Sequence, residues 1–426
     1  MQSKKIRISQ LLIPNLMLLL SVFLPYLKYP IASIYIFYLG VLLVAFGFVY
    51  LNKSIIRANT SDGLLLIILL LSFLNIMRSP NTSYAIQYVL VLTACLIFGV
   101  TAKIESFQNN YQKLIIFGSL ISVISILVEK VFPDYFLRFA RTVMETNAYN
   151  TLNSAYYRMR FGGIGGYTNV CSFNAGILFL IFFCKLLFDS KEYIADREKK
   201  EKRIPIVISL LIMIGSFYAI ILTNKRGITV AVLIGVIVSF LLSIRDNRKA
   251  FIRSIVIIGI LLIVFAYLIN SSIYAQLIWE RFVGNDGDFT TNRSSIYSDV
   301  LLNYNQWMLF GNGTRAGMSL ASEMSLGGGV HNIYIEIFYD YGIIGVLAYI
   351  VWFLYNIVKA FSAIKTTHNS TIIYISLAIQ IMFLVYGFVG NPLFVYYELI
   401  IYIVASSIPY IYLDRKSNYI IPGEQV

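Results

Sequence analysis

Lys225 and Arg226 stand side by side in the turn Thr223-Asn224-Lys225-Arg226-Gly227, between two apolar runs. Adjacent cations at a membrane boundary either snorkel toward water or hold an anion, the guanidinium as a planar fork and the ammonium as a point charge. Glu280-Arg281-Phe282, Arg293 within Thr291-Asn292-Arg293-Ser294-Ser295, and Gly311-Asn312-Gly313-Thr314-Arg315 add three more arginines. Singly, each reads as ordinary loop polarity; together with Lys225 and Arg226 they would surround a diphosphate. Further on come His331 and Asn332, then Glu336 and Asp340. Asn332, Glu336 and Asp340 recur every four residues, so they line one face of a helix running from its mouth into an apolar stretch. Ionisable groups at such depth face a bundle interior or a wet cavity. Gly342 and Gly345 would let a neighbouring helix approach closely. His331 at a helix N-terminus is disfavoured as a cation and so suited to accept a proton; its bland reading is a polar cap, a task for which Asn332 is better.

Such residues need elements to hold them, and the composition says which. Of 426 residues, 58% are hydrophobic and 13% are charged, against about 25% charged in soluble domains. Apolar runs of the roughly 20 residues that cross a bilayer follow one another along the chain. They predict an all-α integral membrane protein, one polytopic domain over 1–426, with about 12 transmembrane helices. The spans fall near 10–27, 30–50, 62–78, 84–102, 111–131, 169–188, 204–222, 227–243, 254–270, 332–357, 371–389 and 393–413. The N-terminal run, after Lys4, Lys5 and Arg7, reads as an uncleaved first helix because no small-residue cleavage pattern follows it. With both termini in the cytoplasm, most of the 34 Lys and Arg fall on the inner side, as the positive-inside bias requires; the run Lys191 to Arg203 is the clearest contributor. Two extracytoplasmic loops are then long, 133–168 and the larger 271–330 between the ninth and tenth spans, and each is expected to pack on the helix ends. Arg138, Arg141, Arg158, Arg160, Arg281, Arg293 and Arg315 gather in these loops, on the side the bias disfavours.

Several functions are set aside on the same grounds. The formal charge of +13 follows topology, not a nucleic-acid face. Cys95, Cys171 and Cys184 give neither a disulfide framework nor metal spacing. Gly162-Gly163-Ile164-Gly165-Gly166 does not match a dinucleotide fingerprint, and Asp286-Gly287-Asp288 reads as a turn. No metal and no cofactor are expected. A transporter or flippase would show repeated halves and broken helices at mid-membrane, whereas no repeat is visible and the cations gather at the outer face.

The pattern resembles the bacterial O-antigen polymerase (Wzy-type) and O-antigen ligase superfamily. His331-Asn332, then Asp340, then Gly342-Ile343-Ile344-Gly345 is similar to that family's His-Asn, acid and Gly-x-x-Gly signature. Arg226-Gly227 after a span resembles its Ser-Arg-Gly, with Lys225 in place of Ser. Arg293 followed by Gly311-Asn312-Gly313 resembles its loop arginine and Gly-x-Gly, and Arg160 with Asn169 is a weaker match. The likeness covers residues 158–350. It implies metal-independent sugar transfer outside the bacterial cytoplasmic (inner) membrane, from an undecaprenyl-diphosphate-linked oligosaccharide to an acceptor hydroxyl. His331 would act as base or orient that hydroxyl, and Arg226 and Arg293 would hold the diphosphate. Lys225, Arg160, Arg281, Arg315 and Asn332 would assist binding, while Glu336, Asp340, Gly342 and Gly345 would support the helix. The resemblance implies O-antigen, capsule or exopolysaccharide polymerisation, with a chain-length regulator as a candidate partner; the alternative is ligation of finished glycan to lipid A core. The 32 Tyr and 30 Phe and the Lys before Arg226 favour the polymerase.

Overall fold

The computed structural model describes residues 12–29, 31–52, 58–188, 206–246, 248–283, 294–302, 308–323, 329–366 and 371–419. The chain rises and falls through α1 (Leu12–Phe23), α2 (Ser33–Asn52), α3 (Thr60–Leu74, prolonged by a 3-10 turn to Arg78), α4 (Thr82–Thr101) and α5 (Glu105–Val131). Two short helices follow, α6 (Pro133–Val143) and α7 (Thr146–Tyr157), then α8 (Thr168–Phe188), α9 (Ile206–Thr223), α10 (Arg226–Asp246) and α11 (Arg248–Ser271). The large loop contributes α12 (Ile273–Val283), α13 (Ser294–Leu302) and α14 (Ala316–Glu323), before α15 (Ile333–Thr366), α16 (Thr371–Tyr386) and α17 (Tyr396–Tyr419). Among the described residues nine helices are long and apolar enough to cross a bilayer, and stretches of α1, α2 and α16 are shorter apolar helices. This is a multi-pass membrane protein, and its helical form follows from the need to satisfy every backbone N–H and C=O within the segment in lipid.

The helix ends carry their own signals. Asn59 and Asp62 form a capping box at the start of α3, and Asn81 accepts from the Tyr84 N–H at 3.1 Å to cap α4. Asp62 also takes Lys103 Nζ at 2.5 Å, pinning the α4–α5 turn to the start of α3. The centre of the bundle is α8, whose apolar stretch is 89% buried and packs against α5, α9, α10 and α16. Enclosure on all sides lets α8 carry polar groups, and Asn174 donates to Ser122 Oγ of α5 at 3.0 Å. The apolar stretch of α11 is only 17% buried, as expected of a helix facing lipid.

Segment 133–168 packs on the helix ends. Phe136 and Ala140 of α6 join Met144, Ala148 and Leu152 in a small separate apolar cluster. Lys28 Nζ donates to the carbonyls of Arg141 and Thr142 at the end of α6. The large loop packs likewise, Ala275 and Ile278 of α12 covering Ile221 near the end of α9.

The tenth apolar helix is broken. Inside α15, Gly342 adopts φ 65°, ψ −161°, a conformation essentially confined to glycine. A strap of residues 308–317 serves the backbone groups this break releases: Ile343 N–H donates to Met308 O at 2.8 Å, and Asn312 N–H and Gly313 N–H donate to Tyr339 O and Asp340 O at 2.9 and 3.0 Å. The same strap reaches α3, where Thr314 Oγ1 donates to Ser72 O at 2.7 Å. Gly342 therefore admits a strand of loop backbone, not the neighbouring helix expected from the sequence, because a Cβ there would collide with the Leu309 carbonyl. At Gly345 a Cβ would meet Tyr341 of the same helix. Gly342→Ala is expected to destabilise the fold by about 3 kcal/mol, read as a lower unfolding temperature of the purified protein and a reduced level in membranes.

Candidate active site

Two stretches of chain far apart in sequence, 226–227 and 329–333, converge on one turn, residues 387–391. The Ile333 N–H, first of α15, donates to Gly387 O at 2.8 Å. Gly227, beside Arg226 at the start of α10, leaves no room for a side chain against Val389, and Gly329 leaves none against Asn391. Arg226 and the His331-Asn332 pair are thus both set around one turn, at the bundle end that also carries 133–167. Asn332 Oδ1 accepts from the N–H groups of Tyr334 and Ile335 at 3.0 and 3.2 Å, so Asn332 is the N-cap of α15. His331 is left half-buried at the mouth with φ 56°.

Among the described residues, four non-glycine positions have positive φ: Met159, Asn224, Arg315 and His331. Each is, or directly precedes, a residue singled out for its charge or chemistry. Left-handed backbone in such residues is strained and gathers at functional sites, where surrounding structure holds it.

Below the mouth, Arg315 Nη1 pairs with Glu336 Oε1 at 2.6 Å, the two side chains being 11% and 0% exposed. The guanidinium also lies over the Phe394 ring at 4.5 Å and reaches Met318 Sδ at 2.7 Å. Asp340 accepts from the backbone N–H of Arg315 at 2.9 Å and of Gly317 at 2.7 Å, closing the first turn of α14. Glu336 and Asp340 do share one face of α15. That face looks onto the strap, which partners both oxygens of Asp340 and Oε1 of Glu336, while Glu336 Oε2 makes no hydrogen bond among the described residues.

A second convergence lies at the same end. Helix α7 closes in a Schellman turn, with Arg160 N–H donating to Ala155 O at 2.9 Å and Met159 N–H to Tyr156 O at 2.8 Å. Phe161 N–H then donates to Leu222 O at 3.1 Å, setting Arg160 beside the turn that carries Lys225. The glycine run that follows is a cradle for a carboxylate: Gly163 N–H donates to Glu129 Oε2 at 2.7 Å and Ile164 N–H to Ser125 Oγ at 3.0 Å. A Cβ at Gly163, Gly165 or Gly166 would strike Ser125, Cys171 or Met144 respectively. The result is a cavity of about 410 Å³ whose walls include Arg158, Arg160, Lys225, Asn150, Tyr167 and Asn169. Burial, and to a smaller extent Arg158, push the Arg160 guanidinium below the usual arginine range, and its Nε makes no hydrogen bond among the described residues.

Residues 209–350 match the family model for O-antigen ligase. The match is consistent with the O-antigen polymerase and ligase superfamily and points to an enzyme of that kind, acting in glycan transfer. It runs from α9 into α15 and takes in Lys225, Arg226, Arg315, His331, Asn332, Glu336, Asp340, Gly342 and Gly345; Arg160 lies before it. No curated protein matches the chain.

Of the residues singled out in the sequence, the structure brings Arg226, His331 and Asn332 to one turn, and Arg160 and Lys225 to one cavity. Arg315 is engaged inside the protein. Arg293 and Asp286-Gly287-Asp288 fall outside the described residues, and so does the side chain of Arg281. Sequence reasoning passed over Asn391, Phe394, Glu129 and Tyr167. A signal existed for the first two in Gly387-Phe388-Val389-Gly390-Asn391-Pro392, a glycine-rich break between two spans. Nothing in the spacing linked Glu129 to Gly163.

Proposed function

We propose that the protein is a bacterial inner-membrane polysaccharide polymerase with both termini in the cytoplasm. It would transfer an undecaprenyl-diphosphate-linked glycan to a hydroxyl of another lipid-linked repeat unit. The observation that carries this reading is the meeting at the turn 387–391 of Arg226-Gly227 and His331-Asn332, both of which lie in the segment that matches the O-antigen ligase family. In the reaction the acceptor oxygen bonds to the anomeric carbon as the bond from that carbon to the diphosphate oxygen breaks. His331 takes the hydroxyl proton. Arg226 and Arg293 stabilise the charge that develops on the departing diphosphate, in the place a divalent ion would otherwise fill. Lys225 in place of a serine before Arg226, and the abundance of Tyr and Phe, favour polymerisation over ligation.

The test is the glycan ladder of a strain lacking the gene. Single repeat units on the lipid acceptor support the polymerase. Polymer left on undecaprenyl diphosphate supports the ligase, and an unchanged ladder rejects both. Arg226→Lys keeps the charge but loses the bidentate fork; we expect polymer formation to fall about tenfold, the equivalent of about 1.4 kcal/mol. Unchanged polymer in that variant would count against a diphosphate on Arg226.

A further inference from the structure

The cavity bounded by Arg158, Arg160 and Lys225 has a composition of its own. Among the described residues its walls hold three cations and no carboxylate, and its other polar groups are uncharged: the amides of Asn150 and Asn169 and the hydroxyls of Thr151, Ser154, Tyr167 and Thr168. Neutral amides and hydroxyls suit a sugar ring; three cations do not, unless the sugar carries charge. Its volume of about 410 Å³ lies within the roughly 300–1,000 Å³ of small-molecule sites and exceeds what a bare diphosphate fills. The walls come from α7, from the loop 158–167, from the first turn of α8 and, through Lys225, from the turn between α9 and α10. A bare diphosphate leaves much of this volume empty, so the group that fills it includes a sugar.

We propose that this cavity is the subsite for an acidic sugar of the lipid-linked repeat unit, its carboxylate or phosphate substituent held by Arg158, Arg160 and Lys225. The Schellman turn fixes Arg158 and Arg160 on either side of Met159, so the two guanidinium groups leave one short loop from a single anchored backbone. An anion supplies a charge-assisted partner for Arg160 Nε, which makes no hydrogen bond among the described residues. The proposal rests on the glycan-transfer reading but makes a separate demand on the substrate.

The experiment measures binding of trigalacturonic acid and of neutral galactotriose to the full chain purified in lipid nanodiscs, with inorganic pyrophosphate as competitor. We expect the acidic trisaccharide to bind at least about tenfold tighter than the neutral one. Arg158→Gln and Arg160→Gln should each weaken it about tenfold, with unfolding temperatures as in wild type, and pyrophosphate should not displace it. Equal binding of the neutral trisaccharide, or no binding of either, overturns the proposal; displacement by pyrophosphate does too, and makes the cavity the diphosphate site. A wild-type glycan found by compositional analysis to contain no acidic group also overturns it. His331→Gly should bind the probe as wild type does. An unchanged ladder in that variant with charge-dependent binding intact rejects the transfer chemistry alone, and the reverse pattern rejects this subsite alone.

Discussion

A strain whose only copy carries His331→Gly should make glycan about 10²- to 10⁴-fold more slowly, the range that loss of a positioned acid or base produces. Glycine is the informative replacement. The backbone at His331 has φ 56°, which glycine adopts freely and alanine does not, so His331→Gly removes the imidazole and leaves the mouth of α15 unstrained. Asn332→Ala is the matching control, because it removes the cap that serves Tyr334 and Ile335 and should cost about 1 kcal/mol of stability with far less effect on rate. Initial rates of glycan extension in isolated membranes, normalised to protein level, separate the two. A His331→Gly protein as fast as wild type would remove His331 from the chemistry.

Arg315→Ala should be the most damaging substitution for the fold. Glu336 is fully buried and its Oε1 depends on the Arg315 guanidinium, and removing one member of a buried pair costs about 3–5 kcal/mol. The loss should appear as a collapsed protein level in membranes. Removing the charge from both, as Arg315→Met with Glu336→Gln, should restore much of that level, since no uncompensated charge stays behind. The double variant also decides what Arg315 does. Activity that returns with the protein makes Arg315 a positioning residue for α15 and its strap; protein without activity would mean that the substrate needs its charge.

The spanning helices were legible because each must carry enough apolar residues to replace water along its whole length, and nothing else in the sequence looks like that. Helices α6 and α7 were not, since Phe136, Ala140, Met144, Ala148 and Leu152 are too widely spaced to raise the hydropathy of a polar loop. The pairing of residues across the site was hidden for a different reason. Arg315 read as a loop cation because its partner Glu336 sits 21 residues away on another element. The pair of glycines at 342 and 345 suggested helix contact, but only the backbone conformation of Gly342 reveals the break and the strap that fills it. His331, Asn332 and Arg226 stood out because their types and order carry chemistry. Asn391 did not, because a turn that serves as a floor needs only to be small and close.

That floor is made late. Arg226 and His331 leave the ribosome well before residues 387–391, so a nascent chain that ends at α15 holds both groups but nothing against which to set them. Under the proposed mechanism, transfer chemistry would therefore switch on only once α16 and the turn that follows it are in place, and a chain released before that turn would be inert toward the lipid-linked sugars around it.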